Sequence, residues 1–134
     1  MNTSNQTGYM LLFIGQDWNK GLSPEQSQKI SEEWMAWFKR HLDSGNVTGG
    51  HPLAFEGKVV SGQNRAVTDG PFAEAKEAVG GYFMLNVATM DEAVAIAREC
   101  PGLAYGVKVE VRPVLGECSL RAQRKAEEQL AVAK

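Results

Sequence analysis

A chain of 134 residues, 43% apolar and 22% charged, has the length and composition of one globular domain that buries its core without metal or disulfide staples. Its formal net charge of −2, with Arg121, Arg124 and Lys125 offset by Glu127 and Glu128, excludes the basic footprint of a nucleic-acid binder. No apolar run approaches the ~20 residues needed to cross a bilayer, which excludes a helical membrane anchor.

Met1 to Gly8 is polar, carries no signal-peptide pattern and reads as a disordered N-terminal segment, so a cytoplasmic location is expected. Tyr9 to Ile14 is apolar at both alternating sets of positions, as in a central strand. Gln16 to Leu22 turns polar. Ser23-Pro24-Glu25-Gln26 is a helix start: Ser23 caps, Pro24 suits the first helical position and Gln26 completes a capping box. Ile30, Trp34, Trp37, Phe38, His41 and Leu42 then recur at helical spacing, and Gly45 ends the helix.

Val47 to Leu53 is a second strand interrupted by Gly49-Gly50, and Phe55 to Ser61 is a weaker one that Arg65 to Thr68 extends. Asp69 to Ala78 is predicted as a loop, with Phe72 anchored in the core. Gly80 to Thr89 returns to a strand. Thr89 and Glu92 form another capping box, after which Ala93, Ile96, Ala97 and Cys100 give an apolar helical face that Pro101-Gly102 stops. Val107 to Arg112 alternates cleanly, with Pro113 marking a sheet edge or strand end. Leu120 to Lys134 is predicted as an additional, largely charged helix.

Strand, helix, strands, helix, strand is the ferredoxin-like βαββαβ order of an α+β domain. One antiparallel sheet carries both helices on a single face, and the open face is expected to meet a second copy or enclose a ligand. A homodimer with its two sheets facing each other is the expectation. Cys100 and Cys118 lack metal-type spacing and read as reduced thiols, a disulfide between them being the alternative.

The chain resembles the YCII-related proteins, and within them the DGPF-type branch. The match runs through Tyr9-Met10-Leu11-Leu12, Trp34 and Phe38, and Gly49-Gly50-His51-Pro52-Leu53. It continues in Val67-Thr68-Asp69-Gly70-Pro71-Phe72-Ala73-Glu74, Lys76-Glu77 and Gly80-Gly81-Tyr82-Phe83. Met90-Asp91-Glu92-Ala93, Cys100-Pro101 and Val109-Glu110-Val111-Arg112-Pro113-Val114 complete it. The domain so defined is 9–115, flanked by 1–8 and by a C-terminal extension, 116–134. The resemblance implies a dimeric α+β barrel. It also implies either cofactor-free chemistry by a His–Asp pair, as in a relative that removes chloride from a chlorinated hydroxyquinol, or a regulatory role beside an extracytoplasmic-function sigma factor.

Asp69 either shapes a turn before Gly70 and Pro71 or serves as a general base or the orienter of a histidine. His51, between two glycines and a proline, is either a hydrogen-bonded loop residue or a proton carrier facing a pocket. These two are the candidate catalytic residues. Glu77, Glu110 and Arg112 are candidate binding residues, and a solvated face explains them equally well. His41 belongs with the end of the first helix. Neither the histidines nor Asp69 have metal-ligand spacing, no nucleotide motif occurs, and no cofactor is expected. Trp34, Trp37 and Phe38 are expected to be core packing. An enzyme acting on a small molecule and a ligand-sensing or protein-docking module both remain open.

Overall fold

The computed structural model describes residues 6–15, 19–54, 56–70, 78–116, 124, 127 and 128. Strand β1 (Gln6–Ile14) leads to helix α1 (Pro24–Ser44) and strand β2 (Val47–Pro52). A hairpin of β3 (Gly57–Ser61) and β4 (Ala66–Gly70) follows. Then come β5 (Val79–Leu85), α2 (Met90–Ala97), a short 3-10 helix (Pro101–Tyr105) and β6 (Lys108–Leu115). The main sheet has the order β2-β5-β1-β6 with every neighbouring pair antiparallel. Counting only its four strands, this is the ferredoxin-like arrangement. The hairpin is a separate two-stranded sheet inserted between β2 and β5.

Local signals place the helices. Ser23 Oγ accepts from the Gln26 amide while the Gln26 side chain accepts from the Ser23 amide, so the capping box forms in full. Thr89 and Glu92 repeat it at α2. Gly45 closes α1 at φ +87°, a left-handed conformation that a side chain would strain. Several boundaries differ from expectation: β1 begins at Gln6, inside the segment read as disordered, and β5 ends at Leu85 rather than Thr89. Asp69 and Gly70 lie in β4 rather than in a loop, because Lys58 and Asp69 sit opposite each other and pair across the hairpin. Cys100 falls beyond the end of α2, just before the 3-10 helix that Pro101 opens. Pro113 is tolerated inside β6 because that strand is an edge.

The core lies between the sheet and the helices. Tyr9, Leu11, Phe13, Val47, Phe83 and Leu85 meet Trp37, Ala93, Ile96 and Ala97 there. Phe13 stands edge-on to Phe83 at 4.9 Å and to Trp34 at 5.2 Å between ring centroids, which adds quadrupole attraction to apolar burial. Burial pushes the Cys100 thiol up to about 11, against backbone hydrogen bonds that lower it, so Cys100 stays a neutral thiol at neutral pH. Cys118, Phe72 and most of the predicted C-terminal helix lie outside the described residues; positions 124, 127 and 128 are helical, and Arg124 pairs with Glu128.

One polar clamp ties α1 to the segment after α2. His41 Nε2 lies 2.8 Å from Glu99 Oε1, and Arg40 donates to the same oxygen. Partial burial acts to raise the Glu99 pKa, but hydrogen bonds from His41 and Arg40 and their charges outweigh it, leaving the pKa below the ordinary 4.5. A carboxylate with a depressed folded-state pKa stabilises the fold above its unfolded pKa and loses that contribution as pH falls through the folded one. Glu99→Gln is therefore expected to cost roughly 0.5–1 kcal/mol at neutral pH, the scale of solvent-screened pairs. Urea unfolding of both proteins should show the difference shrinking as pH drops below 4.5.

Candidate functional site

The face of the sheet away from the helices carries the alternate residues of each strand. Met10, Leu12 and Ile14 of β1 and Tyr82 and Met84 of β5 are half-buried there. Alternation along β6 adds Lys108, Glu110 and Arg112. His51 reaches the same face through an irregularity. Val47 opposes Leu85 and is buried toward the helices, but the register shifts at Thr48, so that Gly49 opposes Met84 and His51 opposes Tyr82. Strict alternation from Val47 would turn His51 toward the helices; the bulge reverses it.

The register thus lays out a cross-strand row of His51, Tyr82, Leu12 and Glu110, with Gly49, Met84, Met10 and Arg112 in the next. The His51 and Tyr82 rings are 6.1 Å apart. Arg112 lies 3.6 Å from Glu110 at the far edge, both exposed. Three strand spacings, roughly 14 Å, separate the His51 edge from the Glu110 edge within one protomer.

Asp69 is elsewhere. It sits on the hairpin with 79% of its side chain exposed and pairs with Lys58. Among the described residues no hydrogen bond or ion pair joins it to His51. Glu77 lies outside the described residues. Among those that are described, no three His, Cys, Asp or Glu side chains gather as a metal-ion site, and no helix is long and apolar enough to cross a membrane. His41, by contrast, is where the sequence places it, at the end of α1 and engaged with Glu99.

A second concavity lies on the helix side. A cavity of about 670 Å³ is bounded by α1, the 13–15 end of β1, and the β2 and β5 strands around Gly50 and Gly81. Its walls are Phe13, Ile30, Trp34, Phe38 and Phe83, with Ser27, Ser31, Met35 and His51 also bounding it. Helical spacing alone reads Trp34 and Phe38 as core, which they are in part, since both pack against the buried cluster. The signal for the cavity is glycine: Gly50, Gly80 and Gly81 pave it, and a paved wall leaves room that side chains would fill.

Two comparisons bear on this architecture. The sequence pattern of the YCII-related domain matches residues 9–115. A protein of Rhizobium meliloti (strain 1021), named only as uncharacterized, is 27% identical over 97 residues, which cover 69% of this chain and 78% of that one.

Proposed function

The chain belongs to the YCII-related domain family, and from that premise we propose that it performs cofactor-free acid–base chemistry on a small organic molecule, with His51 moving the proton. The observation that carries this reading is the cross-strand row: the bulge at Thr48 puts His51 on the same face as Tyr82, Glu110 and Arg112. Histidine is suited to the task because its proton exchanges near neutral pH. Arg112 supplies a fork for an anionic substituent, and Met10, Leu12, Tyr82 and Met84 supply the apolar floor.

In this reading a second copy closes over the open face and excludes water from the site. Closure also brings the edges of two sheets together, which removes the roughly 14 Å separation of His51 from the Glu110 edge in a single sheet. Asp69, the orienting carboxylate, joins by trading its exposed Lys58 pair for a histidine.

The test has two arms. Light scattering at micromolar concentration should report a dimer, and Leu12→Arg should convert it to monomer. Proton NMR in deuterated buffer, run over a panel of phenols and enolisable carbonyl compounds, should find one whose carbon-bound proton exchanges, with the rate lost in His51→Ala. A wild-type monomer, or exchange that is indifferent to His51, sinks the proposal.

The second reading, a regulatory module beside an extracytoplasmic-function sigma factor, draws on the hairpin. Val59, Val60 and Val67 are all exposed there, a surface suited to a protein contact.

A further inference from the structure

We propose that the helix-side cavity is a binding site for a neutral, flat, largely apolar ring compound, separate from the open face of the sheet. Its volume of about 670 Å³ falls within the roughly 300–1,000 Å³ of pockets that enclose small organic molecules.

Three features select the ligand. The walls are aromatic: Phe13 and Phe83 are nearly fully buried at its depth, and Trp34 stands edge-on to Phe13, so ring edges and faces are already presented to a guest ring. Beside those rings the sheet is bare peptide, with Gly50 paired to Phe83 and Gly81 to Phe13. A Cβ on Gly50 would come within 2.5 Å of the Tyr82 carbonyl oxygen and 2.6 Å of Phe83 Cδ1, and one on Gly81 within 3.0 Å of the His51 carbonyl oxygen. A side chain would collide with backbone at Gly50 and press on it at Gly81, so the floor stays low there, which suits a planar molecule. Finally, among the described residues none that bounds the cavity is Asp, Glu, Lys or Arg. A charged ligand would lose its hydration there without a counter-charge.

Among the described residues, the polar ones bounding the cavity are Asn19, Ser27, Ser31 and His51. Asn19 and Ser31 are exposed and Ser27 half-buried, enough to hold one hydroxyl or carbonyl of an otherwise apolar guest. Met35, 60% exposed on the same helix, is an apolar side chain bounding the cavity, pliable enough to cover guests of different outline. The cavity lies across the sheet from the Tyr82 and Leu12 face, and His51 and Pro52 at the end of β2 form part of its boundary.

Fluorescence titration with the neutral probe N-phenylnaphthylamine tests the site. Saturable binding at one molecule per chain is expected, with quenching of the tryptophan emission as Trp34 meets the probe. The anionic counterpart, anilinonaphthalene sulfonate, should bind at least about tenfold more weakly, because its sulfonate finds no partner. Ser27→Phe/Ser31→Phe, which narrows the mouth from the helix surface, should weaken the neutral probe by about tenfold while circular dichroism stays unchanged. If the double variant does not fold, Ser31→Phe alone carries the test at an exposed helical position. Equal binding of the two probes, binding that ignores the mouth variants, or no saturable binding overturns the proposal.

Discussion

Replacing Trp37 by alanine is expected to remove roughly 3–5 kcal/mol of stability, the range for deleting a fully buried large aromatic side chain. Domains of this size hold only about 5–15 kcal/mol in total, so the variant should be near the edge of folding. Trp37 is 2% exposed. Its ring lies 4.9 Å from Phe83 and 5.9 Å from both Phe13 and Trp34. It therefore fastens α1 to two strands of the main sheet at once, and alanine would leave a void among those rings. The indole N–H sharpens the test, since Nε1 is buried with no hydrogen-bond partner among the described residues. Trp37→Phe keeps a ring and removes an unsatisfied donor, so it should lose far less than Trp37→Ala. Urea midpoints for the three proteins check this; equal losses in the two variants would mean that the ring contacts are not what holds α1 down.

Gly50→Ala is the second large effect, about 3 kcal/mol at the upper end of overpacking costs. Gly50 opposes Phe83 in the β2–β5 pairing. A methyl group there would meet the Tyr82 carbonyl oxygen at 2.5 Å, and that atom is backbone. The strands must part for the methyl to fit, and parting them breaks ladder hydrogen bonds near His51. Amide exchange should accelerate in β2 and the facing half of β5 while the β1–β6 pair stays protected. Uniform acceleration through all four strands would instead mean that the sheet opens only as a whole.

Much of this fold is legible in the residues because its signals are local. Ser23 to Gln26 and Thr89 to Glu92 announce helix starts by chemistry contained in four residues, and both form complete capping boxes. The burial of β1 and the edge position of β6 follow equally from apolar pattern and from Pro113. Asp69 shows the opposite case. A proline and a glycine beside it point to a loop, but Lys58, eleven positions earlier, draws it into a strand, and pairing at that separation leaves no mark in the local sequence. The facing of His51 is harder still. It depends on one unpaired residue, Thr48, whose bulge is visible only when β5 supplies the other half of the register. The cavity is illegible for a related reason, because its walls belong to strands and a helix far apart in the chain.

The hairpin has a consequence for how this chain tolerates change. The sheet closes through direct pairing of β2 with β5, and the Leu53 amide donates to the Gly80 carbonyl at 2.9 Å. The whole excursion from Leu53 to Val79 therefore departs from and returns to neighbouring points. Topologically it is an insert, and a short turn between β2 and β5 would leave the four-stranded frame whole. Changes of length here are expected to leave the pairing of the four-stranded frame intact. The same stretch is the natural graft point for an affinity tag or a reporter domain.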